Sequence, residues 1–86
     1  MGNLAKLIKT TRLKTGYNVV QIALKVDIKP KIITEIEGGY RLPTPDYFAD
    51  LCLALDIPFM QAWELLKEEK LELYASRLRR EYNIYG

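Results

Sequence analysis

The stretch Tyr17-Asn18-Val19-Val20-Gln21-Ile22-Ala23-Leu24-Lys25-Val26-Asp27-Ile28-Lys29-Pro30-Lys31-Ile32-Ile33-Thr34-Glu35-Ile36-Glu37-Gly38-Gly39 decides the fold. It holds two short helical patterns with only a few residues between them, and the second ends in a glycine pair. Helices joined so tightly cannot lie flat as a bundle hairpin. They cross steeply, as in a helix-turn-helix, which pushes the second helix outward to where a DNA major groove can receive it.

Local signals agree with that reading. Asn18 is a cap for the first of the two helices, whose inward residues are Ile22, Ala23 and Val26. Ala23 is small where the two helices must cross. Asp27 occupies the turn, where a positive φ is tolerated better by Asp than by most non-glycine residues. Lys29 stands outside the second helix and Pro30 at its first position, where a missing N–H costs nothing. Ile33 and Ile36 point inward, and Gly38-Gly39 stop the helix.

Outward from this stretch, every long segment has helical spacing and none alternates like a strand. A preceding helix is expected from Asn3, as N-cap, to Thr15, with Leu4, Leu7, Ile8 and Thr11 facing in and Gly16 as its stop. Thr44-Pro45-Asp46 starts a fourth helix, which buries Phe48, Leu51, Cys52 and Leu55 before Asp56-Ile57-Pro58 breaks it. The fifth opens with Phe59, Ala62, Trp63 and Leu66 on one face, and this stripe, continued by Leu73, is expected to seal the core. A second stripe of Leu71, Tyr74, Leu78, Tyr82 and Tyr85 has no obvious home in so small a domain.

Eighty-six residues suffice for one core without metals or disulfides, and 49% apolar with 28% charged residues belongs to a globular chain. No apolar run approaches a membrane span, no signal-peptide pattern opens the chain, and the single cysteine, Cys52, suits a reducing cytoplasm. Charge is divided along the sequence. Residues 1–45 carry eight bases against three acids, net +5, and residues 46–86 five bases against eight acids, net −3. A basic N-terminal half attracts a polyanion, and the acidic half is steered away from it.

An enzyme is not expected. There is no histidine, no glycine-rich phosphate loop ahead of a helix and no cysteine cluster with metal spacing, so no catalytic residue, metal site, cofactor or small-molecule ligand is indicated.

The ordered set Arg12-x-x-x-Gly16, Ile22-Ala23, Ile33-x-x-Ile36-Glu37-x-Gly39, Pro43 and Leu51…Leu55-x-Ile57 resembles the Cro and CI repressor type of helix-turn-helix, the xenobiotic-response-element family. The resemblance covers about residues 3–67. It implies an all-α, five-helix domain over residues 1–67 that binds operator DNA, usually as a dimer, to control transcription. Residues 68–86 then form a C-terminal helical extension. By position, Arg12 and Glu37 match the family's buried ion pair, and the DNA-facing positions fall on Lys29, Pro30, Lys31, Ile32, Thr34 and Glu35, with Arg41 in the following loop. Lys29 and Lys31 suit phosphate or guanine, Ile32 a thymine methyl, and Glu35 either cytosine N4 or an intramolecular pair with Lys31.

The chain departs from the family where Val19 replaces a helix-starting glutamine and where Val20 and Leu24 form an apolar ridge. These substitutions, with the apolar Ile32 on the groove-facing helix and the extra Leu/Tyr stripe, motivate an alternative: a protein-interaction module with weak or lost operator binding. For the Leu71, Tyr74, Leu78, Tyr82 and Tyr85 stripe the expectation is a homodimer interface, against the alternative that the tail folds back over Val20 and Leu24.

Overall fold

The computed structural model describes residues 2–82, the last by its backbone alone. Five helices follow one another: α1 (Asn3–Thr15), α2 (Val19–Val26), α3 (Pro30–Glu37), α4 (Pro45–Ala54) and α5 (Phe59–Tyr82). No strand occurs among the described residues, so the fold class is all-α.

Three of the four junctions are closed by one device. At the end of α2, Asp27 takes φ 62° and the Ile28 N–H donates to the Ala23 carbonyl at 3.0 Å. After α3, Gly39 has φ 80° and the Tyr40 N–H reaches Glu35 O at 2.9 Å. After α4, Asp56 has φ 56° and the Ile57 N–H reaches Cys52 O at 2.9 Å. Each left-handed residue folds the chain back so that the next N–H satisfies a carbonyl which the helix end would leave open. Gly16 ends α1 at φ 82°, with its N–H on Leu13 O at 3.3 Å.

Starts are set by caps and prolines. Asn18 and Gln21 form a reciprocal capping box, each side chain accepting the other's backbone N–H at 2.8 Å. Pro30 and Pro45 open α3 and α4. The Thr44 hydroxyl turns to the Asp46 carboxylate and makes no cap bond to backbone.

The start of α1 differs from the sequence expectation. Asn3 lies inside the first turn, Gly2 is the N-cap residue, and no side chain of the local segment caps the helix. The carboxylate of Glu69, on α5, lies there instead, so close that a Cβ added at Gly2 would overlap it. A carboxylate beside open N–H groups is favoured by the helix dipole. Burial nonetheless pushes the Glu69 carboxyl above its usual range; the Leu4 amide pulls it down, and Glu72 and Glu68 add to the upward push.

One core unites all five helices. Leu4 and Ile8 of α1, Ile22, Ala23 and Val26 of α2, Ile33 and Ile36 of α3, and Phe48, Leu51 and Cys52 of α4 meet Ala62 and Leu66 of α5. Leu55, Ile57 and the unforeseen Tyr47 complete it. Leu7 packs at the margin and Thr11 is half-buried. Burial raises the Cys52 thiol out of its reactive range.

The expected seal by the first α5 stripe is only partly realised. Ala62 and Leu66 are buried, but Phe59 (45% exposed), Trp63 (37%) and Leu73 (61%) are not. Phe59 instead stacks along Trp63 at 6.5 Å between centroids and leans on Phe48 at 5.4 Å, making an aromatic rim between α4 and α5. Beyond Leu66 no described side chain is buried. The helix runs unbroken through Lys67 and Glu68 and outlasts the core, giving the molecule a long axis of 44 Å against 24 and 21 Å across.

Candidate nucleic-acid interface

The outward face of α3 follows from its period. Ile33, Ile36 and Glu37 are buried, and this leaves Pro30, Lys31 and Thr34 exposed, with Lys29 exposed at the N-cap. Ile32 is half-buried against the core margin, so little of it faces outward. The Thr34 hydroxyl donates to the Pro30 carbonyl at 3.2 Å, which occupies its proton and leaves its oxygen free to accept from a ligand.

Glu35 is not paired with Lys31. Its Oε1 lies 3.0 Å from Nη2 of Arg41, across the turn that ends α3, and both side chains keep partial solvent access. The reason is geometric: Gly39 reverses the chain and carries Arg41 back alongside the last turn of α3. The pair couples two residues which the sequence presents as separate DNA-facing positions.

Behind this face lies a buried ion pair. Arg12 Nε donates to Glu37 Oε2 at 2.6 Å and Nη2 to Oε1 at 2.9 Å, a bidentate clamp, while Nη1 donates to the Tyr17 carbonyl at 3.0 Å. Both residues are buried. The Glu37 hydrogen bonds raise the Arg12 pKa above its ordinary value, against the lowering effect of burial. One guanidinium thus ties α1 to the end of α3 and to the loop before α2, which fixes the attitude of the exposed helix.

The apolar ridge on α2 is uncovered: Val20 is 54% and Leu24 77% exposed. α5 packs on α1 and α4, so the described part of the tail does not fold back across the ridge. Of the second stripe, Leu71 and Tyr74 are exposed and Leu78 is half-buried. Tyr74 turns toward Leu42, with which it lines a groove beside α5. The Tyr82 side chain and Tyr85 lie outside the described residues.

Sequence reasoning missed Tyr47, Gln21 and Glu69. Gln21 is legible as the third helical residue after a capping Asn. Glu69 has no local signal, because its partner is the other end of the chain. Among the described residues no acidic, histidine or cysteine group is placed to hold a metal ion, and no helix is long and apolar enough to cross a membrane.

No family model and no curated protein matches the chain. Among solved structures, the clp gene regulator ClgR from Corynebacterium glutamicum is similar, with a TM-score of 0.64 at 19% identity, over 90% of this chain and 83% of that one. The similarity establishes a shared all-α, helix-turn-helix fold.

Proposed function

We propose that the chain is a sequence-specific DNA-binding transcriptional regulator of the repressor type, not an enzyme, that works in the cytoplasm with α3 seated in the major groove of double-stranded DNA. One observation carries this reading. The helix with the exposed Lys29, Pro30, Lys31 and Thr34 is clamped from behind by the buried Arg12–Glu37 pair, so a polar, cationic face is held rigidly outward. The fold shared with a gene regulator supports it.

In this reading Lys31 and Thr34 meet base edges, Lys29 meets phosphate, and Ile32 gives at most a grazing apolar contact. Glu35 acts through Arg41, holding the guanidinium toward the DNA backbone. Leu71, Tyr74 and Leu78, with Tyr82 and Tyr85, join two copies so that their α3 helices meet half-sites about 34–36 Å apart.

The test is selection of bound duplexes from a random pool, followed by titration of the recovered site. Lys31→Ala should weaken binding and relax one position by about 1–3 kcal/mol. Arg41→Ala should weaken all sequences alike, and Lys67→Ala should have no effect. No enrichment of any sequence would leave the second reading, a protein-interaction module on the same fold, which the uncovered Val20 and Leu24 favour.

A further inference from the structure

The charge division along the sequence is not the charge division in space. From Phe59 to Glu72 the acids of α5 are Glu64, Glu68, Glu69 and Glu72, and from Leu73 to Arg80 every charged residue is an arginine: Arg77, Arg79 and Arg80. Glu81 follows them. Within α5 most of the acids therefore lie in the part nearer the core, and three arginines against Glu81 leave the far end net positive.

Helical spacing gives these arginines a direction. Ala62 and Leu66 face the core, and steps of seven, four and three residues from Leu66 put Leu73, Arg77 and Arg80 on that same side of α5, beyond the point where the core ends. Leu73 and Arg77, with Lys70 and Tyr74, line a groove of about 320 Å³ against Leu42. The groove contains two cations and no acid. Leu42 also borders an adjoining notch of about 390 Å³ whose lining includes Tyr40 and Arg41, with Glu69 and Glu72 at its α5 wall. Leu71 and Leu78 lie on the opposite side of α5, away from this groove.

Resting on the proposed seating of α3 in the major groove, we propose that the Lys70–Arg77–Arg80 face of α5 is a second DNA contact, which takes the backbone phosphates flanking those met by Arg41. Charge complementarity selects this occupant. The loop after α3 carries Arg41 and Leu42, and Leu42 lines the groove that holds Lys70 and Arg77, so the cations of α5 adjoin the loop on the side beyond Glu69 and Glu72. Lys70 and Arg77 supply charge there, and Arg80 extends it by one turn. Leu71 and Leu78 stay free for a second copy, so one helix serves assembly on one side and the polyanion on the other.

The experiment uses the full chain and two fluorescent duplexes, one with the selected site and one of mixed sequence, titrated over a range of salt. Arg77→Ala with Arg80→Ala should reduce the slope of log affinity against log salt by about 0.9 for each phosphate left without its cation. Both duplexes should weaken by the same factor, because binding to phosphate carries no sequence information. Arg77→Lys with Arg80→Lys should restore most of the slope. Both arginines are exposed, so helicity should not change. An unaltered slope overturns the proposal, as does a variant that alters only the sedimentation of the protein, since the arginines would then serve contact between chains. If the slope is unaltered while Lys31→Ala still relaxes base preference, the α3 reading stands and this one falls. Binding of neither duplex by the wild-type chain overturns both.

Discussion

Residues 3–66 hold four helices and the start of a fifth, and residues 67–82 continue that fifth helix, yet the two regions are stabilised in different ways. In the first region each helix owes its place to buried contacts: Ile22, Ile33, Ile36, Leu51 and Ala62 are all at or below 1% exposure. In the second, one helix continues with nothing packed over Leu71, Leu73 or Tyr74, each about three-fifths exposed. Isolated helices of this length are marginal in water. The extension is helical because it propagates from a helix the core has already nucleated, and because Glu69 pins its base to the start of α1. The first region specifies a shape, and the second offers surfaces.

The largest expected effect tests whether the first region depends on its buried ion pair. Arg12→Ala leaves Glu37 buried without its bidentate partner and Tyr17 O without a donor. Denaturant unfolding should show a loss of about 3–5 kcal/mol, a large share of the stability of a small domain. Leu71→Ala should change the unfolding midpoint of a dilute, monomeric sample hardly at all. Similar losses from the two substitutions would erase the distinction between the regions.

The next effect is on assembly. Truncation after Lys70 keeps Glu69 on α1 and removes Leu71, Tyr74, Leu78 and the arginines. The remaining chain should unfold cooperatively within about 1 kcal/mol of the parent monomer. Its affinity for a two-half-site duplex should fall on the order of a hundredfold, as the two α3 helices are no longer linked. A truncated chain that fails to fold would place the extension inside the core's energetics.

How much of the molecule is legible in the sequence divides along the same line. The α2–α3 pair, the positive φ at Asp27 and the burial of Ile22, Ala23, Val26, Ile33 and Ile36 follow from signals within a few residues, because helix periodicity and end chemistry are local. Glu35 is harder. Its partner Arg41 is six residues away across a turn, so spacing along one helix points to Lys31. The Phe59–Trp63–Leu73 stripe reads as core for a related reason: periodicity reports which side of a helix is apolar but not where the body beneath it ends. Asn3 looks like a cap since it is a good one by type; the carboxylate at that helix start comes from Glu69, which only the tertiary fold brings there.

A smaller effect sharpens the local side of the comparison. Asn18→Ala removes one half of the capping box and leaves the Gln21 N–H open at the start of α2. The cost should be about 1 kcal/mol, seen as a lower unfolding midpoint with the denaturant slope unchanged. Val20→Ala, on the exposed ridge of the same helix, should cost about 0.5 kcal/mol or less. Amide exchange of α2 in the two variants separates a cap that sets the helix start from one that merely decorates it.

The smallest effect lies at the joint between the two regions. Burial holds the Glu69 carboxyl above its ordinary range. The native chain therefore keeps a proton there at pH values where the unfolded chain has already lost it. Since stability rises with pH only where the unfolded state binds more protons, this group acts in the opposite sense. Its contribution declines as pH climbs from the unfolded carboxylate pKa through the raised native one, and is constant above. Glu69→Gln keeps an acceptor for the Leu4 amide without the ionisation, so it should remove that slope and leave the variant relatively more stable above the window. The difference should be small, because Glu69 is only partly buried and solvent screens it. Gly2→Ala gives the complementary test: its Cβ displaces the carboxylate from the helix start, and the pH dependence should then shrink with Glu69 still present. Identical unfolding-versus-pH curves for the parent and both variants would show that the joint carries no charge-dependent energy.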